Sequence, residues 1–184
     1  MHFGSSTEAA APSFSCTASD VAGILREQGS VDATDGTPSE AMHAWFARVS
    51  DLLGPRVKDR KSLAGLLGLV FNYEAARALQ CTENQDVLAR SGAREVIREL
   101  ANLVLDGGDL DSDRFKEIVD AIKLAVSYRS RDIFHPIRLA LTGRAGGGEL
   151  DRVILLLDPA ARLDFAVPVK CVRQRMLEFC ATLD

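Results

Sequence analysis

Paired histidines, clustered cysteines and long apolar runs are all missing from this chain of 184 residues. Its three histidines, His2, His43 and His135, stand at no metal-ligand spacing from one another. Cys16, Cys81, Cys171 and Cys180 are scattered without a C-x-x-C pair, and in a chain of this size they are expected as reduced thiols. No G-x-x-x-x-G-K-[ST] and no G-x-S-x-G occurs, and the glycine run Gly146-Gly147-Gly148 follows a helical pattern rather than a strand, which removes the phosphate-cradle and dinucleotide readings. Asp106, Asp109, Asp111 and Asp113 lack the glycine position and terminal glutamate of a calcium loop, and read as a solvated turn with a helix cap. No run of about 18 apolar residues exists, so no membrane span is expected. The N-terminus, Met-His-Phe-Gly-Ser-Ser-Thr-Glu, lacks the basic-then-apolar order of a signal peptide, so the expected location is cytoplasmic. A net charge of −4 and a pI near 5.4 exclude a broadly basic domain but leave room for a local basic patch. With no nucleophile–base pair, metal cluster or phosphate cradle, the chain is expected to be no enzyme and to need no cofactor or metal.

What is present is helical periodicity. Apolar residues make up 47% of the chain, enough for a sizeable core. Residues 1–36 read as a weakly ordered tail and linker, with a short amphipathic helix over 18–28 carried by Val21, Ile24 and Leu25. Thr37-Pro38-Ser39-Glu40 has the form of a capping box with proline at the first helical position. Met42, Trp45, Phe46, Val49, Leu52 and Leu53 follow at helical spacing. A second helix carries Leu63, Leu66, Leu67, Val70 and Phe71 and is expected to end near Gln80; a third is expected over 86–105. Ser112 or Asp113 caps a fourth helix with Phe115, Ile118, Val119 and Ile122 inward. A later helix carries Leu150, Val153, Ile154 and Leu157 up to a break at Asp158-Pro159, and a last one follows Pro168 with Val172, Met176 and Phe179 on one face. No segment alternates with period two. The expected fold is all-α, with two small helical bundles, 37–107 and 108–184, the second extended by the C-terminal helix.

The stretch 132–144, Asp-Ile-Phe-His-Pro-Ile-Arg-Leu-Ala-Leu-Thr-Gly-Arg, concentrates the polar interest. Pro136 is placed to open a helix, because its missing N–H is one the first turn leaves unpaired. Ile137 and Leu141 share its buried face, and Gly143 is placed to end it in a left-handed conformation. Arg138 points away from the packed face, and Arg144 precedes a bare loop. Arg138 has two readings: a nucleic-acid contact, or a tie to a neighbouring carboxylate such as one on the last helix.

Residues 134–144 resemble the "P-L-R-x-A-L-T-G" signature of the C-terminal anticodon-binding region of bacterial glutamyl-tRNA synthetases. The likeness continues through Glu149-Leu150 and the run Ile154-Leu155-Leu156-Leu157. Upstream, the segment 53–63, Leu-Gly-Pro-Arg-Val-Lys-Asp-Arg-Lys-Ser-Leu, is similar to that family's "R-x-K-T-L-x-E-L…F" helix pair, in the family's order and at about its spacing. The resemblance implies an α-helical cage that grips an anticodon loop. It implies nucleic-acid-contacting roles for Arg56, His135 and Arg138, and for Gly147, Gly148 and Leu150 in the loop after the signature; Lys58, Arg60 and Arg144, basic residues in the same two stretches, are expected to join them. Unstacked bases are read by such planar guanidinium groups and by hydrogen bonds to base edges. The partner implied is a tRNA, glutamate-specific in the family. The amino-acid-activating motifs of the family are not found here, Gly148 stands where the family usually has proline, and Asp158 stands where it usually has glycine. The function expected is tRNA binding without aminoacylation. The alternatives are a scaffold that binds another protein or a second copy through the C-terminal helix, and the anticodon-binding half of a split synthetase.

Overall fold

Helix after helix follows from the apolar spacing, and local capping decides where each begins. A computed structural model describes residues 14–31 and 38–183. Among them are eleven α-helices and no strand: α1 (Ala18–Glu27), α2 (Glu40–Leu53), α3 (Arg60–Phe71), α4 (Ala75–Gln80), α5 (Thr82–Leu88), α6 (Ala93–Leu105), α7 (Ser112–Ala125), α8 (Ser130–Thr142), α9 (Leu150–Ile154), α10 (Leu157–Ala161) and α11 (Val172–Leu183). A single 3-10 turn, Gly54–Arg56, follows α2. The all-α expectation holds.

Thr17 and Asp20 form a reciprocal capping box at α1, each accepting from the other's backbone N–H. Ser39 caps α2 through Met42 N–H, so Pro38 precedes the cap instead of opening the helix; Thr37 lies outside the described residues. Asp59 and Asp111 cap α3 and α7 in the same way. The cap of α7 is thus Asp111, one residue before Ser112 and two before Asp113, the expected caps.

Four expected helices are cut or shifted. The second ends at Phe71 and resumes as α4. The third is divided at Gly92, whose φ of 85° only glycine adopts readily. A Cβ there would also run into the Tyr128 ring. Pro136 lies inside α8 and does not open it. The helix starts a turn and a half earlier because Ile133, buried to 1% exposure, extends the apolar stripe of Ile137 and Leu141 backward. Burial of that turn outweighs the backbone hydrogen bond that proline cannot make. Asp158-Pro159, expected as a break, instead falls in the first turn of α10, where a missing N–H costs little.

Packing gathers α1, α2 and α3 with α9, while α6, α7, α8 and α11 pack together with α4. Helix α9 touches α2, α3 and α8, so it joins the two sets. The only tryptophan, Trp45, is 3% exposed and sits edge-on to Phe46, Phe71 and Phe165. Its indole N–H donates to the carbonyl of Leu156 at 3.2 Å, fixing α2 to the turn before α10. The apolar face of α11 completes the bundle, with Val172, Met176 and Phe179 buried within the chain.

Asp158, in the position the resemblance marks as a departure, is buried and bridges two segments. One carboxylate oxygen accepts from Leu110 N–H at 2.6 Å and the other from Val172 N–H at 2.8 Å. This anchors the start of α11, which therefore begins at Val172 and not directly after Pro168.

Candidate nucleic-acid interface

The C-terminal half of α3, helices α4 and α5, the start of α8 and the turn after it enclose an open groove of about 900 Å³. Gly65 and Gly68 bring no side chain to the α3 wall, which they share with Leu69. Four arginines line it, Arg77, Arg90, Arg131 and Arg144, against three carboxylates, Glu74, Glu83 and Asp86. On a chain of net charge −4 this is a local excess of positive charge, with planar donors suited to base faces, base edges and phosphates.

Tyr73 and Asn84 build the groove from below. The Tyr73 hydroxyl donates to the carbonyl of Ala140 at 2.5 Å, and burial holds its pKa far above the ordinary tyrosine range. Asn84, 5% exposed, donates from its amide to the carbonyls of Ala78 and Gly143 at 2.9 and 3.0 Å. It thereby stitches α4 and α5 to the end of α8. Gly143 caps α8 at φ 77°, as expected from sequence. Thr142 Oγ1 donates to the Arg138 carbonyl at 2.8 Å and accepts from Arg144 N–H at 3.3 Å, which sets the backbone direction out of the helix.

Behind Tyr73 lies Arg175, the largest fully buried side chain. Its guanidinium stacks on the Tyr73 ring at 4.6 Å. It donates to the carbonyls of Leu69 and Val70 near the end of α3, of Leu141 near the end of α8, and of Lys170. These helix ends leave carbonyls unpaired and carry partial negative charge, so one cation satisfies both. Burial pushes its pKa down to about 10, which leaves it cationic at neutral pH.

Of the expected contact residues, the groove brings together His135 and Arg144. His135 Nδ1 accepts from Arg90 Nη1 at 3.2 Å, since a guanidinium can only donate. Burial, then the charges of Arg131, Arg90 and Arg138, hold the imidazole pKa below its ordinary value, in keeping with a neutral acceptor. Gly147 and Gly148 lie just beyond the lining residue Gly146 on the exposed turn; Gly147 has φ 101°.

Arg138 is differently placed. Its Nε and Nη2 donate to the two carboxylate oxygens of Asp151 on α9, both at 2.7 Å, and it lies over the Phe134 ring at 5.1 Å. The pair is 13% and 24% exposed. The carboxylate tie is therefore real, but its partner is on α9 and not on the last helix. It clamps both ends of the 143–149 turn. Leu150 is 1% exposed, so its side chain belongs to the core. Arg56 and Lys58 are exposed at the junction of α2 and α3, outside the groove lining. Arg60 is bound to α1 through Glu27 at 2.7 Å and Asp20 at 3.8 Å. Sequence reasoning missed Arg77, Arg90 and Arg131, which belong to no shared motif and are united only by the fold.

The chain matches the anticodon binding domain family over residues 18–164. It is 26% identical over 119 residues to glutamate–tRNA ligase 2 of Syntrophus aciditrophicus, covering 61% of this chain and 23% of that protein. It is 28% identical over 125 residues to the glutamate–tRNA ligase of Bacillus anthracis, covering 66% and 24%. A shorter match, 39% over 62 residues, reaches glutamate–tRNA ligase 1 of Ehrlichia ruminantium and covers 34% and 14%. In the two longer matches the aligned part spans about a quarter of the relative's length. No solved structure matches significantly.

Proposed function

Because the chain belongs to the anticodon binding domain family, we propose that these 184 residues bind tRNA and do not aminoacylate it by themselves. The match reaches only the anticodon-binding part of tRNA ligases, which supports a binding role without the chemistry of activation. The observation that carries the reading is the groove, where four arginines and a neutral histidine face open space beside a glycine turn. In the proposed complex, Arg77 and Arg144, both exposed, meet phosphates and splayed bases. His135 and Arg90 act as a joined pair at the wall, and the glycine turn lets the RNA backbone approach closely. Arg138 acts indirectly, by holding the turn in place through Asp151. Glutamate-specific tRNA is the proposed ligand, by likeness to the ligases named above, and the cytoplasm the proposed location.

The test is equilibrium binding of tRNA transcripts across a salt series, comparing glutamate anticodons with others. Wild-type protein should bind the glutamate transcript more tightly. Arg77→Ala and Arg144→Ala should each weaken binding and lower the salt slope by about one. Absence of binding at about 50 mM salt, or slopes unchanged in both variants, would sink the proposal.

A further inference from the structure

A second cavity, of about 330 Å³, lies between the end of α6, the start of α7 and the start of α11, and shares no lining residue with the groove. Three arginines border it: Arg114 on α7, Arg162 after α10 and Arg173 on α11. We infer that this cavity is a binding site for a phosphate group, held by Arg114 and Arg173.

Four observations carry this. First, the two guanidiniums are pre-positioned. Arg114 Nη2 donates to the carbonyl of Leu103 at 3.0 Å and Arg173 Nη1 to that of Leu105 at 2.5 Å, both at the carbonyl end of α6. Each contact uses one nitrogen, so the remaining N–H groups of each fork are left for a ligand. Second, Arg114 Nε is buried without a hydrogen-bond partner among the described residues, although an unmet buried donor on a cation is costly. Third, Gly107 makes room for this arginine, because a Cβ at that position would coincide with the guanidinium. Fourth, the carboxylates nearby are already engaged. Asp158 accepts from two backbone N–H groups, and Asp109 is paired with Arg162. Among the described residues, that leaves Arg114 and Arg173 without a carboxylate partner in the cavity. Planar forks converging from two elements suit a tetrahedral oxyanion better than a flat apolar ligand.

The phosphate can come from a small phosphorylated molecule or from RNA. The experiment titrates the whole chain with inorganic phosphate at constant ionic strength, following the arginine Nε–H NMR signals. A second arm compares a 5′-phosphorylated dinucleotide with its dephosphorylated form. Phosphate should shift the Arg114 and Arg173 signals saturably, and Arg173→Gln should weaken binding by about tenfold or more. Arg173 is exposed, so this variant folds as the parent does, which its melting curve checks directly. Gly107→Ala, which displaces Arg114, should also weaken binding. Preference for the phosphorylated dinucleotide assigns the source to an RNA end, and inorganic phosphate binding without that preference assigns it to a small molecule. Either result supports the site. Signals that do not move with phosphate, or move equally in Arg173→Gln, overturn it. Because Arg144→Ala should leave this titration unchanged, failure here and failure of tRNA binding are separable.

Discussion

Removing the carboxylate of Asp151 separates two roles for Arg138 that look alike in most assays. The pair is bidentate, with both contacts at 2.7 Å and both side chains largely buried. A charge-assisted contact of this kind contributes about 1.5–3 kcal/mol. Asp151→Asn keeps the shape, removes the charge and retains one acceptor, so its cost should fall near 2 kcal/mol. For a domain of this size that lowers Tm by about 4–8 °C. Arg138→Gln should cost a similar amount, and the double variant should cost much less than the sum, giving a coupling of about 1–2 kcal/mol in a double-mutant cycle. Calorimetry or circular-dichroism melts provide the stability arm, and tRNA binding provides the functional arm. If Arg138 acts by holding the 143–149 turn, both single variants lose affinity together. If it contacts RNA directly, Asp151→Asn frees the guanidinium and affinity holds or rises while Arg138→Gln loses it. That second pattern, or a coupling within experimental error of zero, would refute the clamp.

Arg175→Met should destabilise the protein by about 3–5 kcal/mol in denaturant titration, because four carbonyls lose their donor together, partly offset by no longer burying a charge; a loss below about 1 kcal/mol would mean that these carbonyls find other partners. Glu178 feels burial that raises its pKa, but hydrogen bonds from Lys170 and Ala75 N–H outweigh it and hold the carboxyl below the ordinary value. Its folded pKa is thus below its unfolded one, so its contribution is complete above the unfolded pKa and is lost as pH falls through the folded pKa. Glu178→Gln should lower Tm at pH 7 and flatten the fall of Tm below about pH 4.5; an unchanged acid slope would contradict this.

The helical stripes were legible because burial imposes a period that sequence displays directly, as in Val96, Ile97, Leu100, Ala101 and Val104 of α6. Gly143 was legible for a local reason as well, since one backbone conformation demands one residue type. The start of α8 was not, because a rule about proline at helix starts competes with burial of Ile133, and only tertiary packing decides between them. Arg175 hid for another reason. On a helix between Gln174 and Met176 it reads as surface, and nothing local reveals that the ends of α3 and α8 converge on it. The same holds for Asp151, thirteen residues from Arg138 and without any periodic relation to it. Two of the five residues of the proposed interface were visible as a motif, His135 and Arg144. The rest, Arg77, Arg90 and Arg131, comes from three separate elements that share a wall only once folded.

The lone tryptophan has a practical consequence. Trp45 is shut inside an aromatic cluster and tethered to a carbonyl more than a hundred residues away, so its emission should be shifted to the blue and report directly on whether α2 and the turn before α10 remain joined. It does not line the arginine groove. Fluorescence from this one site can therefore follow unfolding while tRNA is bound at the groove, giving an optical channel for stability that is separate from the one used for binding.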